Sequence, residues 1–191
     1  MQLEKYEKIA ESILFAGGEP VDIKVIAEAM ELDEEAAENV LESLKVKYEK
    51  IEGSLQVLKL EDMWQICTKK EYEPYIRQAF EIKRNAPLSQ AALEVLAVIA
   101  YNQPVTRAFI EQVRGVDSSS VVANLVEKGL IEEYGRLDLP GKPIAYKTTP
   151  LFLRSFSMES IDDLPPIEDE AEVDEKNNEE ELAGQQSLFT E

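Results

Sequence analysis

Residues 88–107 read LSQAALEVLAVIAYNQPVTR, and this stretch decides the fold. It opens with Ser89, a residue type that caps helix N-termini, and only Glu94 is polar between positions 93 and 100. A helix that is apolar on nearly all sides belongs inside a domain, because no face of it favours water. Pro104 breaks the helix, so the stretch predicts a buried first helix.

The following residues extend this helix into a familiar supersecondary order. Thr106 can cap a second helix that continues to about position 113, and Gly115 ends it, since glycine adopts left-handed backbone conformations with little strain. A third helix is predicted to start at Asp117 and Ser118 and to be closed by Gly129. Two strands, residues 130–135 and 143–148, and a wing loop, residues 137–142, complete a winged helix.

The first 82 residues repeat the same order. Apolar residues between positions 6 and 14 recur every three or four residues, which predicts a helix. A short helix capped by Asp22 and a longer helix beginning at Asp33 follow it. Two strands around positions 55–60 and 64–66 and a further helix from about 70 to 82 complete this unit.

Charge is distributed unevenly along the 191-residue chain, whose net charge is −19. Residues 1–81 carry 19 acids and 10 bases (−9), residues 82–158 carry 7 acids and 9 bases (+2), and residues 159–191 carry 13 acids and 1 base (−12). The last segment holds too few apolar residues to offset the entropy of ordering it, and it is predicted to be disordered.

The predicted fold is therefore mainly α with small β-hairpins, arranged as tandem winged helices of the helix-turn-helix type. The predicted organisation is an N-terminal winged helix at 1–82, a linker at 83–87 that lets the domains swing, a second winged helix at 88–158, and an acidic disordered tail at 159–191.

Composition excludes most catalytic and metal chemistry. The chain has no histidine and only Cys67, which removes histidine acid/base catalysis, zinc sites built from His and Cys pairs, and internal disulfides. Cys67 is predicted to be a small buried hydrophobe. With these kinds of site removed, we expect a protein that is not an enzyme and holds no cofactor or metal. No run of 18 apolar residues occurs, so we expect it to be cytoplasmic, with no membrane span.

The predicted recognition helices argue against DNA reading. The helix at 118–128 has no positive residue before Lys128, and its counterpart in the first unit begins with Asp33, Glu34 and Glu35, which would repel phosphates. A protein-binding use of the scaffold is favoured, with DNA contacted only indirectly or weakly. A DNA-binding transcriptional regulator remains the alternative, with the wing cations Arg136, Lys142 and Lys147 as its backbone contacts.

The opening stretch, together with RGVDSSSVV (114–122), GLIEEYGR (129–136) and PGKPIAYKTTPLFL (140–153), resembles the segregation and condensation protein B family. These bacterial subunits join a kleisin to an SMC ATPase, and the resemblance extends over residues 6–156. It implies a nucleoid-associated subunit that acts in chromosome condensation and segregation during cell division. It also implies a homodimer formed mainly by the first domain, with the central segment of the kleisin ScpA held largely by the second domains and the SMC ATPase reached through the kleisin.

Candidate residues follow for each surface. Surplus large apolar residues of the first unit are assigned to the dimer interface: Leu3, Tyr6, Leu55, Leu58 and Trp64. Candidates for kleisin binding are Tyr101, Gln103, Phe109 and Arg114, although Tyr101 and Phe109 could instead complete the core.

The last residues contain a short motif of a different kind. Gln185, Ser187, Leu188 and Phe189 resemble the Gln-x-Ser/Asp-Leu-Phe pattern by which bacterial replication proteins dock on the sliding clamp. An inert chain end is the alternative.

Overall fold

The structure is a computed structural model, and it describes residues 2–80 and 87–167. The first unit contains α1 (Gln2–Gly17), β1 (Val21–Asp22), α2 (Ile23–Met30), α3 (Glu34–Lys50), β2 (Leu55–Leu60), β3 (Met63–Thr68), a 3-10 turn (Lys70–Tyr72) and α4 (Glu73–Ala79). The second unit contains α5 (Gln90–Asn102), β4 (Val105–Thr106), α6 (Arg107–Arg114), α7 (Ser119–Glu127), β5 (Ile131–Arg136), β6 (Ile144–Thr148), α8 (Pro150–Phe156) and a 3-10 turn (Ile161–Asp163).

Both units are winged helices, as predicted. Each combines three helices with an antiparallel three-stranded sheet, in the order β1-β3-β2 in the first unit and β4-β6-β5 in the second, and a fourth short helix, α4 or α8, follows the sheet. The third strand of each sheet is a two-residue segment between the first and second helices, and the sequence analysis did not predict it. In each sheet this short strand pairs with the last strand of the hairpin, which ties the helices to the wing.

Local capping explains why most helices begin where the sequence indicates. The Ser89 hydroxyl accepts a hydrogen bond from the Ala92 amide at 3.2 Å, and Thr106 caps α6 in the same way. Gly115 ends α6 at φ 71°, the left-handed conformation expected of it. Ser118 is an exception. Its hydroxyl donates to the Val116 carbonyl at 3.2 Å instead of capping α7.

Each unit has its own apolar core. The first is built on the inner faces of α1, α2 and α3 and on one face of the sheet, with Trp64 among its largest buried side chains. The second surrounds α5, whose Val95 and Ile99 are fully buried. Leu60 of β2 belongs to this second core although it comes from the first unit, and Leu58 packs against the same core. The two domains are thus packed together, whereas the sequence analysis expected them to swing about their linker.

The segment after α8 contacts both domains. We call residues 158–164 the strap. The Glu61 amide donates to the Glu159 carbonyl at 2.6 Å, and the Ile161 amide donates to the Glu61 carboxylate at 2.7 Å. Met158, Ile161 and Leu164 pack against the second core.

Most of the strap was predicted to belong to the disordered tail, but it is structured. The start of this tail, residue 159, was inferred from acidic composition, but the structure packs the strap against both domains, so the prediction is wrong for residues 159–164. Residues 168–191 lie outside the described residues, as do residues 83–86 of the predicted linker. The predicted helix at 70–82 is a 3-10 turn followed by α4, which ends at Ala79.

Candidate partner-binding surfaces

The predicted dimerisation residues separate into buried and exposed groups. Trp64 is 1% exposed and belongs to the first core, so it is not a surplus apolar group, and this assignment is wrong. Tyr6 and Leu55 pack at the edge of the same core, and Leu58 contacts the second domain of its own chain. Among these five residues, Leu3 is the one whose side chain is largely exposed, at 51%.

The first domain exposes other large apolar side chains that the sequence analysis missed. Phe15 at the end of α1 is 75% exposed, and Tyr75 and Phe80 on and after α4 are 72% and 73% exposed. None of the residues of α4 is buried. Along α1, Lys5, Ile9 and Ile13 line an open depression, and Ile9 and Ile13 also pack against the edge of the first core. The exposed apolar surface of the first domain therefore includes parts of α1 and α4.

Two of the predicted kleisin contacts, Gln103 and Arg114, form hydrogen bonds within the domain. The Gln103 amide oxygen accepts from both the backbone amide of Thr148, at 2.6 Å, and its hydroxyl, at 2.8 Å. These bonds fasten the end of α5 to β6. The Arg114 guanidinium donates to the Ser118 hydroxyl at 2.9 Å and to the Glu94 carboxylate at 3.0 Å, and its side chain is only 11% exposed. Both side chains hold the domain together, and their assignment to the kleisin surface stays a prediction.

Phe109 keeps the properties of a binding residue. It is 38% exposed, while the core contact of α6 is made by Ile110, which is fully buried. Val113 lies one turn further along α6, and Val116 follows the helix; they are 56% and 54% exposed. We call Phe109, Val113 and Val116 the α6 strip. It is an apolar surface on the domain with the fewest acids, and such a surface suits an apolar segment of a partner chain.

Tyr101 lies at the end of α5 and is 37% exposed. Its hydroxyl donates to the Pro165 carbonyl at 2.7 Å, just beyond the strap. The side chain therefore neither completes the core nor stands free, because the chain's own C-terminal segment already contacts it.

A shallow groove also runs between α7 and the sheet of the second domain. Its floor is formed by Val122, Val126 and Tyr146, and its charged margin includes Arg107, Glu127 and Glu133. The mixture of an apolar floor and charges of both signs suits a polypeptide better than a phosphate backbone.

The surfaces that a DNA reader would use are not basic. The exposed side of α7 carries Ser120, Ala123, Asn124 and Glu127. Of the wing cations, Arg136 donates to the Lys142 carbonyl at 2.9 Å. Lys147 forms an ion pair with Glu132 at 3.2 Å and lies over the Tyr134 ring. These contacts engage two of the three predicted backbone-contacting cations within the wing itself.

The described residues also bear on chemistry and membranes. In residues 2–80 and 87–167, no three His, Cys, Asp or Glu side chains are grouped so as to hold a metal ion. Cys67 is half-buried, less than predicted, and its burial raises the pKa of its thiol. No helix within these ranges is long and apolar enough to cross a membrane. The clamp-like motif at Gln185, Ser187, Leu188 and Phe189 lies outside the described residues.

Comparison with known proteins gives a consistent set of matches. Residues 8–167 match the family described as segregation and condensation complex subunit ScpB. Segregation and condensation protein B of Acetivibrio thermocellus is 46% identical over 169 residues, which make up 88% of this chain and 85% of that protein. Its counterpart in Ruminiclostridium cellulolyticum is 43% identical over 168 residues, 88% of either chain. A crystal structure of a dimer of the ScpB N-terminal domain complexed with ScpA peptide shares 30% sequence identity, with a TM-score of 0.39, and covers 41% of this chain and 99% of that chain.

Proposed function

The chain belongs to the segregation and condensation complex subunit ScpB family, and from this premise we propose that it is a non-enzymatic subunit of a bacterial SMC–kleisin complex. In this role it forms a homodimer and binds the central segment of the kleisin ScpA. It reaches the SMC ATPase through the kleisin, contacts DNA only indirectly or weakly, and works in the cytoplasm at the nucleoid. The activity it supports is chromosome condensation and segregation during cell division.

The α6 strip is the observation that carries the proposed kleisin contact. Two apolar side chains on α6 and one just after it, each more than a third exposed, are not required by the domain's own core. Residues 82–158 also have a net charge of +2, so a partner segment would avoid the repulsion of the strongly acidic first domain. Phe109 is the proposed anchor, with Tyr101 beside the strap as a second contact.

The dimer contact is proposed on the exposed apolar surface of the first domain. Leu3 and Phe15 on α1, and Tyr75 and Phe80 around α4, are large apolar side chains exposed in the single chain. Small domains commonly bury such groups by self-association. Two first domains, each with a net charge of −9, repel each other, so the apolar contact must outweigh this repulsion. Added salt screens the repulsion and should therefore strengthen the dimer.

Light scattering of the purified full-length chain, with and without the central kleisin segment, tests both parts. Without the segment, we expect a molar mass equal to that of two chains. After the segment is added, we expect a larger stable species. A monomer that forms no complex at micromolar concentrations of both components contradicts the proposal. Short duplex DNA serves as the comparison ligand, and a salt-dependent DNA complex in its place would support the regulator alternative.

A second partner is proposed for the chain terminus. Gln185, Ser187, Leu188 and Phe189 would dock on the replication sliding clamp, with Leu188 and Phe189 filling an apolar pocket and Gln185 making polar contacts. The support is the pattern of residue types alone. A peptide of this kind at the end of an acidic segment would bring a condensation subunit close to newly copied DNA.

A further inference from the structure

We infer that the strap closes the two winged-helix domains on each other, and that this closed form opposes binding of the kleisin segment. The inference rests on the proposed function for its second half only. Its first half, closure by the strap, stands on contacts between the domains that the sequence analysis did not anticipate.

The strap is bound to the first domain through main-chain and side-chain atoms at one place. Glu61 occupies the tip of the β2–β3 wing, and it both donates its amide to the Glu159 carbonyl and accepts from the Ile161 amide. The Lys45 ammonium on α3 donates to the Glu159 carboxylate. Lys45 is 17% exposed, so solvent screens this ion pair less than it would a fully exposed one.

The strap is also ordered by itself and by the second domain. Ser160 and Asp163 form a reciprocal capping box around the 3-10 turn, which presets the backbone for these contacts. Ile161 and Leu164 then pack on the second core, to which β2 of the first domain contributes Leu60 and against which Leu58 also packs. The packing of Leu58 and Leu60 on this core is lost if the domains separate, because both side chains would become exposed.

A second interdomain contact depends on the same arrangement. Arg154 on α8 donates to the Gln65 amide oxygen at 3.0 Å, and Gln65 in turn donates to the Gly18 carbonyl at 2.8 Å. Gln65 is only 3% exposed. The wing of the first domain is therefore held by contacts with both α8 and the strap, while Glu61 and Asp62 at its tip stay exposed to solvent.

Competition with the kleisin follows from the point where the strap ends. The Tyr101 hydroxyl, part of the proposed kleisin surface, donates to the Pro165 carbonyl at the end of the strap. A kleisin segment that uses Tyr101 together with the α6 strip must displace this contact. If the open form is about a tenth of the molecules, releasing the strap strengthens the apparent kleisin affinity about tenfold.

Distance measurement between two labels tests the closure in the full-length chain. Spin labels are placed at Glu28 on α2 and Ser120 on α7, both exposed, in a Cys67→Ser background, and labelled chains are diluted with excess unlabelled chain to suppress signals between copies. The native strap should give one narrow distance. Ile161→Asp combined with Leu164→Asp should broaden and lengthen the distribution. Ile167→Asp, the same chemical change at a 71% exposed position, is the matched control and should leave it narrow.

A charge exchange provides a second variant that does not touch the apolar packing. Glu159→Lys should broaden the distribution, and Lys45→Glu combined with Glu159→Lys should narrow it again by restoring the ion pair. A native chain that already gives a broad distribution, or strap variants that leave it narrow, would overturn the closure.

Titration of the central kleisin segment into the same variants tests the competition. Opened variants are expected to bind about tenfold more tightly than the native chain. Broadened distances with unchanged or weaker kleisin affinity would overturn the opposing role of the strap. Failure of the native and opened chains alike to bind the segment contradicts the proposed function instead, and leaves the distance result to decide the closure.

Discussion

The buried carboxylate of Glu7 on α1 accepts a hydrogen bond from the Ser43 hydroxyl of α3 at 2.7 Å. Its other oxygen accepts from the Lys47 ammonium, one turn further along α3. The Lys47 interaction holds the pKa of Glu7 below its ordinary value against the opposing effect of burial, and the Ser43 hydroxyl adds to the lowering. An ionised carboxylate between these two helices therefore stabilises the first domain.

The first prediction concerns Glu7→Gln, which keeps an acceptor for Ser43 but removes the charge that Lys47 contacts. We expect the free energy of unfolding near neutral pH to fall by about 1.5–3 kcal/mol, the range for a hydrogen bond to a charged group. Because the folded-state pKa is lowered, the stabilisation is present above the unfolded value and is lost as pH falls through the folded-state value. Urea unfolding of the native protein and of Glu7→Gln at neutral and acidic pH measures this. The difference between their free energies of unfolding should be smaller in acid.

Glu4→Gln is the matched control for this prediction. Glu4 also pairs with a lysine, Lys8 at 3.3 Å, but its side chain is 60% exposed. Its loss should change stability by no more than about 0.5 kcal/mol. If Glu4→Gln and Glu7→Gln lowered the free energy of unfolding equally, the burial of Glu7 would not strengthen its interactions, which would contradict the prediction.

Local signals in the sequence were sufficient for most of each domain. Caps such as Ser89 and Thr106, and the end of α6 at Gly115, act on neighbouring backbone atoms, so the residue type alone indicates the boundary. The family predicted from the four quoted stretches is confirmed by the family match over residues 8–167. Those stretches cover the core helices and wing of one domain, which is why they were sufficient to indicate the family. Exposure of Phe109 follows from helical spacing once Ile110 is assigned to the core.

The missed features are those set by contacts distant in sequence or by very short elements. Lys45 and Glu159 are separated by 114 positions, and acidic composition masked the packing of the strap. The Ser160 and Asp163 capping box was a sign in the sequence that this acidic segment is structured.

β1 and β4 are two residues long and α8 is seven, so none of them spans enough residues to display a periodicity. Gln103 and Arg114 appeared to be free polar groups because their partners come from other elements.

The second prediction is that Leu3→Asp weakens the homodimer. Leu3 is about half-exposed on α1, and placing a carboxylate at an apolar interface between two acidic domains adds both desolvation and repulsion. We expect the dimer dissociation constant to rise about tenfold or more, corresponding to at least 1.4 kcal/mol. Sedimentation equilibrium over a concentration series measures the change.

Val25→Asp on α2 is the control, since Val25 is 56% exposed and lies away from α1 and α4 in sequence. It makes the same chemical change on the same domain. A dimer weakened by Val25→Asp and not by Leu3→Asp would move the interface to α2.

The third prediction is that Phe109→Asp strongly weakens kleisin binding while the dimer and the fold persist. The side chain is 38% exposed and Ile110 forms the core contact of α6, so the substitution should leave the thermal transition within a few degrees of native. Loss of an aromatic anchor is expected to weaken binding by about 2 kcal/mol or more, roughly thirtyfold. Calorimetric titration with the kleisin segment gives the affinity.

Tyr134→Asp is the comparison for Phe109→Asp, because Tyr134 is an aromatic residue of the same domain, 57% exposed on β5. It should bind the segment with nearly native affinity. Loss of the thermal transition on Phe109→Asp would place this side chain in the core, and equal loss of binding for both variants would remove the α6 strip as the specific site.

The last prediction concerns a peptide of residues 180–191 and the purified sliding clamp. Leu188 and Phe189 restore two large apolar side chains in a segment otherwise dominated by acids, and Gln185 precedes them at the spacing of the clamp-docking pattern. Binding should be on the order of micromolar, because a short peptide loses conformational freedom when it docks. Fluorescence anisotropy of a labelled peptide measures the affinity. Leu188→Ala combined with Phe189→Ala should abolish the signal, whereas Glu181→Ala in the same peptide should leave it nearly unchanged, since that acid lies outside the motif. An unchanged anisotropy with the native peptide at high micromolar clamp would show that these residues are an inert chain end.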